Sequence, residues 1–300
     1  MQTPANVSIT AGTTTPCADL RNGMIFDLHT HSNMSDGTLS PTELMLHAAT
    51  HGIGVIALTD HDSVAGVTEA SEVGKRLGLH VISGVELDTM HDEELHILGL
   101  GIDINNAPLR ALLERQNAER RRRNDKILEN LLRLGIDAVP YIEYDAADGT
   151  LTRLHIANAL VKMGAAASRA DAFEKFLGEN GAAYADFDRV SSEDAIKLIH
   201  GAGGVSVLAH PCKIKKNPHK TISELAEIGL WGLEAYYPKT TDGQLQLFLS
   251  LAGQYGMAVT CGSDFHGENR PSAVMGGSFA YQEPLQAGLD RLVKAIGGLK

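Results

Sequence analysis

The chain has 300 residues, 43% hydrophobic and 21% charged, enough for one large domain with a packed core and a smaller insert. Its 26 Lys and Arg against 37 Asp and Glu give a formal charge of -11, which argues against binding long duplex nucleic acid and means that an anionic substrate has to be attracted locally. Cys17, Cys212 and Cys261 stand far apart with no CxxC pair, which argues against a disulfide framework or zinc ribbon and fits a reducing cytoplasm.

Residues 1–24 are rich in Thr, Ala and small polar residues, lack a basic start and an apolar centre for export, and read as a loosely ordered leader. No stretch approaches the roughly 20 apolar residues needed to cross a bilayer, so neither a membrane nor an obligate protein partner is expected. Seven short apolar runs then read as strands: Ile25 to His29, Val55 to Thr59, Val81 to Val85, Leu95 to Leu100, Val205 to Ala209, Gly232 to Tyr236 and Ala258 to Gly262. Helix starts fall between them at Ser40-Pro41-Thr42-Glu43, at Ser63 before Val64 to Leu77, and at Ser191-Ser192-Glu193-Asp194. This alternation predicts an α/β fold, a mostly parallel sheet closed or nearly closed as a barrel over 25–103 and 191–300.

The interval 104–190 breaks the rhythm. It holds no convincing strand and predicts a small all-helical insert, with one long helix over Pro108 to Leu134 and shorter ones over Leu154 to Met163 and Ala170 to Leu177.

The chemistry lies at the strand ends. His29 and His31, two apart in DLHTHSNMSDG, point to one side of an extended backbone, and Asp36 follows after a turn. TDHDS brings Asp60, His61 and Asp62 to the next strand end, with His61 the favoured ligand and the two aspartates either ligands or acceptors that orient it. A hairpin turning near His91 predicts Glu86 and His96 directly opposite each other, with Cβ atoms about 4.5 to 5.5 Å apart, and leaves His91 in solvent. VSVLAHP adds His210, and AVTCGSDFHG adds Asp264 and His266, again two apart. Glu234 lies near a strand end as a supporting or structural acid. A satisfied histidine at one strand end is ordinary; the same accident at every such end is not.

DLHTHSNMSDG, TDHDS, GVE, HILGL, LAHP and GSDFH, in that order over residues 25 to about 295, resemble the PHP (polymerase and histidinol phosphatase) superfamily of phosphoesterases. The resemblance implies a distorted seven-stranded β/α barrel and two to three divalent metal ions. It places one ion on His29, His31, Glu86 and Asp264, a second on Glu86, His96 and His210, and a third on Asp36, His61 and His266. Asp36 departs from relatives with histidine there, and such mixed donors accept manganese, iron or zinc. TRLHIANALVKMG followed by AFEKFLGENGAAY is similar to the helical insert of nucleoside 3',5'-bisphosphate phosphatases and related 5'-to-3' oligoribonucleases. It implies Arg153 as a phosphate clamp and His155 as a weaker substrate contact or a packing residue; the run Arg120 to Arg123 reads mainly as a solvated face, with one or two of its arginines able to reach substrate.

The expected activity on a small phosphorylated substrate, as the resemblance implies, is removal of the 3'-phosphate of nucleoside 3',5'-bisphosphates, with degradation of short 5'-phosphorylated oligonucleotides second, by a metal-activated hydroxide. His210 and Asp264 sit at the reacting centre, and Asp62 or a metal-bound water is a candidate proton donor to the leaving group. The alternatives are a histidinol-phosphate phosphatase and a noncatalytic nucleotide- or metal-sensing module.

Overall fold

A computed structural model describes residues 25–143, 151–276 and 283–299. The leader expected over 1–24 lies outside the described residues. The fold is α/β, and the main sheet path carries seven strands: β1 (Ile25–Thr30), β2 (Ile53–Leu58), β3 (His80–Met90), β4 (Glu94–Leu100), β6 (Val205–Leu208), β7 (Gly232–Tyr236) and β8 (Ala258–Cys261). All neighbours on this path are parallel except β4, which runs antiparallel to both β3 and β6. An unforeseen eighth strand, β5 (Val190–Ser191), pairs with β3. Two residues are too few for periodicity to reveal.

The ladder does not join β8 to β1 along their length, yet the edges meet at their carboxyl ends. There His31 N donates to Phe265 O at 2.9 Å and Asp264 N to His29 O at 2.9 Å. Alternation along the strands feeds two apolar layers. Leu28, Val55, Ala57, Ile82, Leu98 and Val207 gather from five strands on one face, closed at one end by Leu289, Leu292 and Val293 of α9 (Glu283–Ala295). Val85, Leu87, Ile97 and Leu208 face the other way, against α6 (Ser192–Gly201), α7 (Pro218–Glu227) and α8 (Asp242–Tyr255). Buried on both faces, the strand ends are the places where polar chemistry emerges.

The helix starts follow local chemistry. α1 (Pro41–Thr50) opens with a capping box between Ser40 and Glu43. α2 (Val67–Leu77) begins three residues later than Ser63 and Val64 suggest, because the Ser63 hydroxyl accepts from Ala65 N in the preceding turn and so caps no helix. α3 (Ala107–Arg133) belongs to two cores: Leu109, Leu112 and Leu113 join the main one, while Ile127 and Leu131 pack with Ala138, Ile156, Leu160 and Leu177 in a separate cluster. α4 (Arg153–Lys162) belongs to that second cluster. The expected helix over Ala170 to Leu177 is α5 (Arg169–Ala172) running into a π-helical turn, Phe173–Leu177.

Candidate metal centre

Glu86 on β3 is the hub. Its Oε2 lies 3.2 Å from His29 Nε2, 3.2 Å from His31 Nε2 and 3.3 Å from His61 Nδ1. Its Oε1 lies 2.8 Å from His96 Nδ1 and 3.0 Å from His210 Nε2. Five imidazoles from β1, the loops after β1, β2 and β6, and β4 therefore converge on one carboxylate with no exposed surface. Asp264 Oδ1 stands 3.6 Å from His29 Nε2 and 3.5 Å from His31 Nε2. Asp36 Oδ1 stands 3.2 Å from His266 Nε2 and 4.0 Å from His61 Nε2. All nine residues singled out as ligands are thus brought together.

Several of these donors lack partners that protein alone can supply. The Nε2 atoms of His29 and His31 face each other at 3.1 Å. Among the described residues, Asp36 Oδ1, His61 Nδ1, Glu86 Oε2, Asp88 Oδ1 and His266 Nε2 are buried without a hydrogen-bond partner. Orphaned polar atoms are expensive singly, and five in one pocket of imidazole and carboxylate donors fit divalent cations between them. His31, Asp36, His61 and His266 form one compact donor set, and His29, His31, Glu86 and Asp264 another.

The surroundings orient these donors. His29 Nδ1 donates to Glu234 at 3.0 Å, which leaves Nε2 as the lone-pair nitrogen facing the hub. The other oxygen of Glu234 accepts from His210 N at 2.7 Å. Asp264 Oδ2 accepts from Tyr237 Oη at 3.0 Å, from Lys213 Nζ at 3.2 Å and from Arg270. His210 and Asp264 hold positive φ angles of 32° and 56°, strained for residues with a Cβ and retained here where each side chain must turn into the cluster.

The charges follow from crowding. Burial pushes the Glu86 and Asp264 carboxyls upward, but the imidazoles around Glu86, and Lys213, Arg270 and His29 around Asp264, outweigh it and hold both well below the ordinary range. Burial drives His266 down to about 4, with His31 adding to the effect against the pull of Asp36.

Four expectations need correction. Asp88, not Glu86, stands opposite His96, because Met90 pairs with Glu94 and the turn is centred on Asp92; Glu86 faces Leu98 and reaches His96 diagonally on the same face. His91 is only partly exposed and bonds Glu224 at 3.0 Å. Asp62 is buried with both oxygens engaged, one accepting from Asp88 N at 3.3 Å and the other from Arg120, so it is not presented as a proton donor. Arg120 and Arg123 are buried while Arg121 and Arg122 are exposed, the three-residue spacing turning one pair inward.

The structure places Arg153 3.4 Å from Glu94. His155 caps α4, its Nδ1 accepting from Thr152 N at 3.0 Å, and burial lowers its pKa. Asp60 holds Ser32 and Ser35. Sequence reasoning missed Asp88, whose Oδ1 lies 3.3 Å from His61 Nδ1 and 3.4 Å from His96 Nε2; its place two residues after Glu86 was the available signal. Lys213, Tyr237 and Arg270 were missed as well, with no periodicity to mark them.

The sequence pattern of the PHP domain family matches residues 27–183. The chain is 36% identical over 80% of its length to a 5'-3' exoribonuclease of Haemophilus influenzae, covering 89% of that protein. It is 34% identical over 82% of its length to the phosphoribosyl 1,2-cyclic phosphate 1,2-diphosphodiesterase of Eggerthella lenta, covering 95% of it. It is 32% identical over 80% of its length to the 3',5'-nucleoside bisphosphate phosphatase of Chromobacterium violaceum, covering 86% of it. A solved structure from Bifidobacterium adolescentis, classed with metal-dependent phosphoesterases, superposes with a TM-score of 0.81 at 28% identity, over 92% of this chain and 97% of that one.

Proposed function

Since the chain belongs to the PHP domain family and is a metal-dependent phosphoesterase, we propose that it removes the 3'-phosphate of nucleoside 3',5'-bisphosphates, with degradation of short 5'-phosphorylated oligonucleotides as a related activity. One observation carries this reading. A cleft of about 900 Å³ opens onto His96 and His210 and is lined by Arg153, Arg189 and Lys213, with Phe173 and Tyr184 as aromatic surfaces for a base. A nucleotide-sized space with cations at its wall solves the problem set by a net charge of -11.

In this reading the three groups named from the family resemblance would hold two to three divalent ions of manganese, iron or zinc. Bound there, the ions would supply Lewis acidity and neutralise phosphate charge. The chain's own part is orientation. Glu234 fixes the tautomer of His29, and Asp88 faces His61 and His96. Lys213 and Arg270, both partly exposed beside Asp264, supply positive charge where phosphate oxygens would lie. His155, whose Nδ1 accepts from Thr152 N at the start of α4, is the further substrate contact that the resemblance implies.

The test is hydrolysis by manganese-reconstituted protein, read as phosphate release from adenosine 3',5'-bisphosphate and histidinol phosphate and as ring opening, followed by phosphorus NMR, for a cyclic sugar 1,2-phosphodiester. The bisphosphate is expected to have the highest kcat/KM; turnover of either other compound alone overturns the assignment. No hydrolysis of the bisphosphate by the metal-loaded protein would overturn it equally.

A further inference from the structure

The helical insert grips the loop that carries Asp36. Arg169, the first residue of α5, reaches out of the insert to the turn Gly267–Asn269 that follows His266. Its Nη1 donates to the carbonyls of Asn269 at 2.5 Å and Glu268 at 3.3 Å, its Nη2 to Asn269 Oδ1 at 3.1 Å, and its Nε to Asn158 Oδ1 at 2.6 Å. Asn158, on α4, donates in turn to Asn269 Oδ1 at 3.1 Å. A guanidinium can only donate, so the Asn269 atom facing it is the amide oxygen and the other end of that amide is the donor. That donor, Nδ2, points away from the insert and gives its proton to the Asp36 carbonyl at 2.8 Å.

The segment held in this way is the one whose carboxylate completes a donor set with His61 and His266. Asp36 lies in a loop outside any helix or strand, and its Oδ1 is buried without a hydrogen-bond partner among the described residues. The aim of that oxygen therefore depends on the backbone beneath it. The same turn pins the flank of the loop, with Thr38 N donating to His266 O at 3.2 Å and Glu268 N to Thr38 Oγ1 at 3.1 Å. A Cβ on Gly267 would lie 2.1 Å from Thr38 Oγ1, so the turn and the loop are already in close contact. Arg169 spends its donors on neutral oxygens, and among the described residues it has no carboxylate partner. A planar fork can span two carbonyls and an amide at once, which a lysine cannot.

We propose that Asn269 is a positioning residue for Asp36, and that Arg169 and Asn158 make the donor group of Asp36, His61 and His266 depend on the seated insert. The ion held by this group binds tightly only when the insert is in place, and by linkage the same ion steadies the insert in return. Arg153 lies on the same helix as Asn158, so the part of the insert that lines the cleft and the part that holds Asn269 belong to one element. The inference rests on the reading that this group holds a divalent ion, and not on the choice of substrate.

Manganese is the probe of the experiment. Ions bound per chain are counted by equilibrium dialysis over a range of free manganese for wild type, Asp36→Ala, Asn269→Ala and Arg169→Gln. Asp36→Ala marks the ion that belongs to this group. Asn269→Ala and Arg169→Gln are each expected to weaken that ion about tenfold or more and to leave the others within about twofold. Hydrogen exchange supplies a readout that a passive docking contact would not move. Manganese is expected to slow amide exchange in α4 and α5 of the wild type, and to lose this effect in Arg169→Gln and in Asp36→Ala. Equal weakening of every ion overturns the proposal, as does wild-type manganese binding by Arg169→Gln. If Asp36→Ala itself costs no ion, the metal reading of this group fails and the proposal with it; if it costs an ion and Arg169→Gln does not, the proposal alone fails. Should Asn269→Ala not fold, Arg169→Gln and the exchange measurement decide.

Discussion

Arg120 on α3 donates to Asp88 on β3 at 2.8 Å and, through the same nitrogen, to Asp62 in the loop after β2. Gln116 and Asn117 of the same helix donate to the backbone carbonyls of Asp88 and Asp62 at 3.1 and 2.8 Å. One helix face thus fixes the two segments that carry His61 and Glu86. Removing the cation leaves two buried carboxylates side by side, and breaking a buried ion network from one end costs about 3–5 kcal/mol. Arg120→Met is therefore expected to lower unfolding stability by that amount in urea titration. Adding Asp62→Asn and Asp88→Asn to the same chain should recover most of the loss; a triple variant no more stable than the single one counts against this network as the cause.

Glu234 ties His29 Nδ1 and His210 N together, and Gly262 is what lets it approach. A Cβ on Gly262 would lie 2.2 Å from Glu234 Oε1 and 2.2 Å from His29 Cβ, so no side chain fits there without moving both. Glu234→Gln and Gly262→Ala are each expected to weaken manganese binding about 10- to 100-fold, the usual penalty for losing the partner that orients a ligating imidazole. Competition against a fluorescent chelator measures it. Wild-type affinity in both variants would show that the Glu234 contact does not orient the cluster.

Metal binding should also expel protons. Burial opposes the charged forms of His31 and His96, yet Asp264 and Glu86 raise His31 to about 9, and Glu86 and Asp88 raise His96 to about 10. An imidazole whose folded value is raised contributes stability that is complete below its unfolded value of 6.5 and is lost as the pH climbs through the folded value. The metal-free protein is therefore expected to lose stability from neutral pH toward 9 and 10. A cation must displace these protons, so manganese binding at neutral pH should show an enthalpy that depends on the buffer's ionisation heat, and affinity should rise with pH. Identical enthalpies in phosphate-free buffers of different ionisation heat would mean that no protons leave.

Much of this centre could be read from strand ends, because a period of two and a terminal polar residue are local properties of the chain. His29 with His31, and Asp264 with His266, needed only that rule. The hairpin shows where the rule stops: a turn centred on Asp92 in place of His91 moves every partner by two, so His96 meets Asp88 while its diagonal contact with Glu86 survives on the same face. Arg120 and Arg270 were harder still. Their partners, Asp62 and Asp88 for one and Asp264 for the other, are set by how separate elements pack, and no spacing within the chain encodes that. The ends of α2 and β5 were misplaced or missed because a single hydroxyl bond and a two-residue pairing decide them.

The second apolar cluster leads to a prediction about how the chain comes apart. Ile127, Leu131, Ile156, Leu160 and Leu177 pack with one another and not with the main core, although α3 runs continuously between the two. The proposed insert over 104–190 is therefore expected to open as its own cooperative unit, with α3 frayed only beyond the turns that hold Leu109, Leu112 and Leu113. Leu160→Ala removes a fully buried side chain from that cluster and should cost about 2–5 kcal/mol locally. Native-state hydrogen exchange should show faster amide exchange in α4 and the distal half of α3, with β3 and β4 unchanged. Manganese affinity at the donors on β3 and β4 should hold, since His96 and Glu86 lie on those strands, while KM for the bisphosphate should rise because Arg153 opens α4. Equal acceleration across both cores would mean that the two clusters unfold together and that the insert has no stability of its own.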